Sequence, residues 1–360
     1  YEISLGLVGS EMCIRDSVVG GPFNYIEHGM GPKWKWLAKI FAFFGIGVGL
    51  LGIGTFTQVN GISSAVNNFF DSNNAWTVSL FGRTYSWTVV ISCLILTFCV
   101  ALVLIGGIQR ISKVAQVIVP FMAATYFLAG ILIILFNITD VPAAILTIVQ
   151  SAFGLKAAAG GALGAMVVAM QKGIARGIFS NEAGLGSAPI AAAAARTNEP
   201  VRQGLVSMTA TFIDTIIICS ITGIAIVLTG AYDMGLEGVA VTTKAFQLGL
   251  PFPDGVASFI LMLCLVFFAF TTILGWDYYS ERCLEYLTNG KKKCIKAYRW
   301  IYILCVFIGP YMTVSAVWTI ADIFNGLMAI PNLIALVALN GVVAKETKDY
   351  LDRIKKKEID

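Results

Sequence analysis

From residue 36 onward, apolar windows long enough to cross a bilayer follow one another almost without pause. A crossing helix needs roughly 20 apolar residues to span about 30 Å of hydrocarbon, and in lipid each backbone polar group must find its partner within the protein. The chain therefore reads as an all-α polytopic membrane protein. Eight windows lie near residues 36–65, 86–107, 114–136, 158–195, 204–230, 255–287, 296–318 and 326–344. Several exceed a minimal span, so tilt or interruption is expected. Residues 141–156 are apolar but short, which suits a surface or re-entrant helix.

Composition agrees, with 57% hydrophobic and 13% charged residues and a mean hydropathy of +0.80. Soluble proteins carry about 25% charged residues, so half that figure leaves most of the surface to lipid. A nucleic-acid binder, a secreted disulfide scaffold and a disordered tail are excluded, and a net charge of +4 is too small for phosphate-backbone binding to be the theme. The 8 cysteines form no C-x-x-C pair and read as small core hydrophobes.

Residues 1–17 hold Glu2, Glu11, Arg15 and Asp16 with no helical or signal-peptide pattern, and residues 7–17 resemble a translated sequencing adapter. The expectation is a non-native stretch over 1–17, then a single transmembrane domain over 18–360 that begins near Val18 with its N-terminal portion missing.

Lysine and arginine favour cytoplasmic loops. One alternating set of loops holds Lys33, Lys35 and Lys39, then Arg110 and Lys113, Arg196 and Arg202, a cluster from Lys291 to Arg299, and a tail cluster from Lys345 to Lys357. The opposite loops offer only Arg83, Lys156 and Lys244. The segment near residue 30 and the C-terminus are thus expected in the cytoplasm, which requires an even number of crossings. Residues 322–326 (Asp-Ile-Phe-Asn-Gly) are expected to form an extracellular turn.

The fourth window is the least lipid-like. It contains Gln171, Lys172, Gly173, Arg176, Gly177, Ser180, Asn181, Glu182, Gly184 and Gly186. Charges are costly at membrane depth unless they face protein or water, and glycine weakens helix continuity. A discontinuous helix is expected, its halves meeting near residues 173–182 and freeing backbone groups for a small zwitterion and a cation. Close packing through small residues explains the glycines but not the polar cluster. A phosphate-binding loop is excluded, since no Gly-Lys-Ser/Thr follows. Lys172, Arg176 and Glu182 are expected to satisfy one another or to reach Asp214 and Asp277, with Arg176 and Glu182 as a structural or gating pair.

Gly45, Gly47, Gly49, Gly52 and Gly54 make a thin helix flank, followed by Thr55, Thr57, Gln58 and Asn60. Gln58 can donate and accept, as a bound amino acid requires, or it can bond between helices. Thr271 and Thr272, halfway along the sixth window, suit a dehydrated sodium ion or bond their own helix carbonyls. His28 is the only histidine, so neither a metal site nor a catalytic triad has material here.

Gly20-Gly21-Pro22 with Tyr25-Ile26-Glu27, the run from Gly177 through Asn181-Glu182-Ala183-Gly184-Leu185-Gly186 to Pro189, residues 270–279, and Met328-Ala329-Ile330-Pro331-Asn332 together resemble the alanine or glycine:cation symporter family. The resemblance implies the five-plus-five inverted-repeat (LeuT-like) fold and sodium- or proton-coupled uptake of alanine or glycine through the plasma (inner) membrane. No prosthetic cofactor, nucleic acid or obligate protein partner is implied. It places Gln171, Gly173, Ile174, Gly177, Phe179, Ser180 and Asn181 along the substrate site, Gln58 on the third core helix, and Thr271 and Thr272 at a sodium site. It also implies that the first core helix and nearly all of the second are absent, leaving a fragment expected to be inactive. A channel would need a continuous polar stripe or charged ring, whereas the polar residues gather at mid-membrane. An intramembrane enzyme would need a nucleophile with a base, for which Lys172 beside a serine is the one arrangement left.

Overall fold

A computed structural model describes residues 20–80, 82–153, 161–195, 197 and 199–356. The expectations for residues 1–17 and for a start near Val18 lie outside the described residues. Short helical turns at Pro22–Asn24 and Tyr25–Gly29 lead into α1 (Lys35–Leu51) and α2 (Phe56–Phe70). A hairpin of β1 (Thr77–Leu80) and β2 (Arg83–Ser86) pairs Thr77 with Ser86 and Leu80 with Arg83. Then come α3 (Trp87–Ile105), α4 (Gly107–Phe136), α5 (Val141–Ala152), α6 (Ala162–Asn181), α7 (Ser187–Ala192) and α8 (Pro200–Thr211). A π-helical segment, Phe212–Cys219, joins α8 to α9 (Ser220–Leu228). The chain continues with α10 (Val239–Gly249), α11 (Asp254–Thr288), α12 (Lys292–Ile308) and α13 (Val314–Lys355).

Among the described residues, six helical stretches are long and apolar enough to cross a membrane: Pro32–Phe70, Trp87–Ile105, Gln109–Phe136, Pro200–Leu228, Asp254–Thr288 and Val314–Lys355. The eight windows thus reduce to six on this measure. The fourth falls out because its helix carries Lys172 and Arg176 and stops at Asn181. The seventh gives a helix of 17 residues whose first half holds Lys292, Lys293, Lys296 and Arg299. The short apolar stretch after residue 141 is a 12-residue helix, and the fold is all-α apart from the hairpin.

The expected turn at residues 322–326 is not there, since α13 runs unbroken through it. The polar side chains that would favour a turn in water face other helices instead: Asp322 binds Arg176, and Asn325 is buried. The chain instead breaks between α12 and α13, at the single turn Gly309–Tyr311, and Thr313 caps α13 by accepting the amide of Ala316 at 3.4 Å.

Helix α1 is clasped by α11 and α13, and its glycines explain how. A methyl group on Gly45 would stand 2.7 Å from Cys283 Sγ, and one on Gly54 2.7 Å from Trp276 Cβ. Close helix approach through small residues is therefore realised. The membrane stretch is interrupted at residues 52–55, where Thr55 Oγ1 donates to Leu50 O (2.5 Å), Gly54 N to Val48 O (3.2 Å) and Tyr302 Oη to Gly54 O (3.3 Å). Such substitutes make a helix break tolerable inside a bilayer.

The basic segments gather at one end of the molecule. Glu27 accepts Lys35 Nζ at 2.5 Å and the Tyr286 hydroxyl, which brings the segment near residue 30 to the end of α11. Burial pushes the Glu27 carboxyl up, but these two hydrogen bonds together with the nearby charges of Lys35 and His28 leave the group below its ordinary value. Arg353 binds Glu199 with both terminal nitrogens, at 2.9 and 2.7 Å. The hairpin lies at the opposite end, where Tyr85 Oη donates to Tyr311 O at 3.2 Å.

Candidate functional site

A cavity of about 520 Å³ opens among α2, the end of α6, the segment preceding α10, α11 and the start of α13. Thr57, Gln58, Asn60, Gly61, Ser64 and Asn68 line it from α2. Their spacing of three and four residues places them on one helix face, so a polar stripe on a membrane helix faces a cavity rather than lipid. Gln58 Nε2 and Thr57 Oγ1 both donate to Ile53 O, at 3.1 and 3.2 Å, and thereby satisfy a carbonyl beside the break. Asn60 Nδ2 donates to Met312 O at 3.1 Å, holding α2 to the chain just before α13.

The facing wall is aromatic. Phe179 packs on Trp318 with ring centroids 4.6 Å apart, and the Arg176 guanidinium lies 4.4 Å above the Trp318 ring. Arg176 Nη2 also donates to both Asp322 oxygens, at 2.9 and 2.6 Å. Trp318 and Asp322 are one turn apart on α13, so a single arginine ties α6 to that helix by stacking and by charge. The expected Arg176–Glu182 pair does not form.

Nor does α6 break where expected. It is helical through Gly173 and Gly177 to Asn181, and the chain turns at Glu182, Gly184 and Gly186, which all have positive φ. Gly173 and Gly177 are ordinary helical residues with nothing within 4 Å of an added methyl. The left-handed conformation falls on the later glycines, where it suits them.

From that turn Ser180 Oγ donates to Asp214 Oδ2 at 2.6 Å and Asn181 Nδ2 to Thr215 Oγ1 at 2.9 Å, so α6 is tied to the π-helical segment. Glu182 instead faces α11, accepting the Trp276 indole N–H at 2.7 Å and the Ser187 hydroxyl. Gly186 packs so closely that a methyl group there would stand 2.5 Å from Pro22 and 3.1 Å from Asn332. Asn332 in turn donates to Gly184 O at 2.8 Å and accepts the Tyr25 hydroxyl. The four sequence segments singled out above thus meet in one knot.

Of the expected substrate residues, Gln58 and Phe179 line the cavity. Gln171, Gly173, Ile174 and Ser180 are exposed on α6, while Gly177 and Asn181 are half-buried, and none of the six borders the cavity. Thr271 donates to Phe267 O and Phe268 O at 3.0 Å and Thr272 to Phe268 O at 2.9 Å, so both hydroxyl protons stay on their own helix. The oxygens keep lone pairs with which a hard cation could be bound. Asp277 is buried on α11, one turn before Glu281, and pairs with none of Lys172, Arg176 and Glu182. Among the described residues no cluster of three His, Cys, Asp or Glu side chains could hold a metal.

Several lining residues were not anticipated. Ser64 and Asn68 continue the stripe at a spacing visible in the sequence. Trp318 was placed at the end of the seventh window, and Asp322, which holds Arg176 beside it, was placed in a turn, although their separation by four residues is a helical signal.

Long apolar helices and a polar cavity among them define a multi-pass membrane protein of the transporter class. The sequence profile of the sodium:alanine symporter family matches residues 1–360, and the chain belongs to that family. It is accordingly a transporter and not an enzyme. The match includes residues 1–17, set aside above. An uncharacterized transporter of Haemophilus influenzae is 51% identical over 347 residues, which are 95% of this chain and 72% of that one. The sodium/alanine symporter AgcS of Methanococcus maripaludis is 42% identical over 350 residues, 95% of this chain and 71% of its own. The probable sodium/glutamine symporter GlnT of Bacillus subtilis is 37% identical over 337 residues, 92% of this chain and 64% of its own.

Proposed function

We propose that this chain imports a small neutral amino acid, alanine or glycine, across the plasma membrane by coupling its movement to the entry of sodium through alternating access. The polar stripe of α2, turned into a cavity against Phe179 and Trp318, is the observation that carries this reading. Gln58 addresses the ammonium and carboxylate groups of the substrate, and Phe179 with Trp318 covers its short side chain. Gln171, Gly173, Ile174, Gly177, Ser180 and Asn181 belong to the moving helix α6, on the five-plus-five inverted-repeat plan. Thr271 and Thr272 hold the cation, and Arg176, Glu182, Asp214 and Asp277 act as structural or gating charges. The end that gathers the basic segments and the C-terminus faces the cytoplasm. Each charge moved inward draws about 2.3 kcal/mol per 100 mV from the membrane potential. The name of AgcS, a sodium/alanine symporter, supports ion and substrate alike.

Proteoliposomes given an inward sodium gradient and labelled alanine test the reading. Accumulation that requires the gradient and grows with an interior-negative potential is expected, and uptake indifferent to sodium, pH and potential overturns it. Gln58→Ala raises the KM for alanine roughly tenfold, the loss of one hydrogen bond. Thr272→Val raises the sodium concentration for half-maximal uptake. A proton gradient replacing sodium would reassign the coupling ion.

A further inference from the structure

A second cavity, of about 490 Å³, lies at the basic end of the molecule between the last turn of α3, the lower part of α11 and the start of α12. Its walls divide by chemistry. Lys292, Lys296 and Arg299 line it three and four residues apart on a single face of α12, Ile303 continues that face one turn further on, and Leu104 and Ile105 line it from the end of α3. Arg299 is held in place by Glu281, donating from Nε at 2.6 Å and Nη2 at 3.0 Å. Glu281 also accepts Arg282 at 2.9 Å, and Arg282 pairs in turn with Glu285, so these two carboxylates and two guanidinium groups balance one another. Lys292 and Lys296 are therefore excess positive charge at the mouth. The first turn of α12 carries no acidic residue, and Arg110 lies folded over the end of α3, donating to Leu102 O at 2.6 Å.

The cavity is also flanked by exposed apolar side chains, with Trp300 59% exposed and Ile105 66% exposed. Tryptophan is enriched where hydrocarbon meets headgroups, and an exposed one beside a basic helix face fits that boundary. An occupant must then satisfy two demands together: negative charge against the lysines and hydrocarbon against Leu104, Ile105 and Ile303. A soluble anion meets only the first, and a neutral lipid only the second.

We propose that this groove is a binding site for an anionic phospholipid of the cytoplasmic leaflet. Its phosphate sits between Lys292 and Lys296 above the fixed Arg299, and an acyl chain runs along Ile105 and Ile303. Basic pockets between transmembrane helices on the cytoplasmic side are known to hold acidic headgroups. Here the bound lipid bridges the ends of α3 and α12, which already pack on each other through Leu104, Tyr298 and Tyr302, and offsets the lysines at the start of α12. The site is remote from the cavity on α2 and does not depend on what is transported.

The test uses the full chain purified in neutral detergent, with phosphatidylglycerol as probe and phosphatidylcholine and inorganic phosphate as comparisons. Native mass spectrometry should show phosphatidylglycerol retained at collision energies that strip phosphatidylcholine. The thermal unfolding midpoint should rise with phosphatidylglycerol alone. Replacing both lysines (Lys292→Gln with Lys296→Gln) lowers phosphatidylglycerol affinity about thirtyfold, taking each basic residue near the membrane surface at about 1 kcal/mol. The Lys→Arg pair restores it, and Lys345→Gln with Lys348→Gln, at the same end of the molecule, leaves it unchanged. Equal retention of both lipids, or an undiminished preference in the glutamine pair, overturns the proposal. Equal stabilisation by inorganic phosphate does so as well, by showing a free-anion site.

Discussion

Trp276 donates its indole N–H to Glu182 Oε1 across 2.7 Å, linking the middle of α11 to the first residue past α6. The second oxygen of Glu182 accepts Ser187, so the carboxylate serves only as an acceptor and spans the turn that reverses the chain. Trp276 is itself 2% exposed and lies against Gly54 at the α1–α2 break. One side chain thus touches both interruptions of the helical membrane chain, and movement at either must be felt at the other.

Glu182→Gln should lower the thermal unfolding midpoint, because the two donors bind different oxygens and the amide nitrogen that replaces one of them cannot accept. Trp276→Phe should do so less, losing one donor but keeping most of the packing. A double-mutant cycle on the two should give a coupling energy of about 1 kcal/mol or more. Strict additivity would show that the contact carries no energy.

The two glycine pairs of this region should respond in opposite ways. Gly186 has φ +88° and an added methyl would press on Pro22, Phe41 and Asn332. Gly186→Ala should cost at least about 1–2 kcal/mol from backbone conformation alone. Gly177 is helical with open space beside it, so Gly177→Ala should be neutral or stabilise by up to about 1 kcal/mol. Thermal unfolding in detergent decides this, and marked destabilisation at Gly177 would return the helix break to residues 173–182.

Much of the fold was legible because hydrophobic length is read directly from residues. The thin glycine flank of α1 and the short span of α5 both followed from size and span. The break in the fourth window was expected for the right reason but placed too early, since nothing local distinguishes Gly173 and Gly177 from Gly184 and Gly186. The difference is tertiary, for Gly186 is pressed by Pro22, Phe41 and Asn332 and Gly184 O accepts Asn332, whereas Gly173 and Gly177 have open space beside them. The partner of Arg176 was missed because Asp322 lies 146 residues away inside a stretch whose composition suggests a turn. Burial of Asn325 and the grip of Arg176 override that local preference. In the site itself, the α2 stripe could be read from spacing, whereas the Phe179–Trp318 wall depends on two helices meeting.

Arg176→Lys should separate stability from transport. The Arg176–Asp322 pair is open to its surroundings, with side chains 40% and 47% exposed, and such pairs contribute about 0–1 kcal/mol. Lysine keeps the charge but loses both the two-oxygen grip and the stacking on Trp318. The unfolding midpoint should stay nearly constant while initial alanine uptake falls several-fold, chiefly through KM. Trp318→Ala should lower uptake in the same direction. Parallel losses of stability and uptake would make the cluster a packing feature alone.

Acid should loosen the hairpin end before the rest of the molecule. Asp71 accepts Ser86 Oγ at 2.7 Å, Ala75 N at 2.7 Å and Trp76 N at 3.4 Å. The Ser86 hydrogen bond first, and then the two backbone amides, hold its carboxyl below the ordinary carboxylate value. A carboxyl lowered in the folded state stabilises that state fully above its unfolded pKa of about 3.9, and the contribution is lost as pH falls through the lower folded value. Amide exchange at Ala75 and Trp76 should thus stay protected, after correction for intrinsic rate, from neutral pH down to about pH 4. Protection should then fall as the carboxylate takes up a proton and releases its donors. Asp71→Asn keeps one acceptor and removes the charge, so it should lower protection at neutral pH and abolish its acid dependence. If the wild-type profile stays flat through the acid range, or the asparagine variant still shows the acid step, some other group controls this end of the fold.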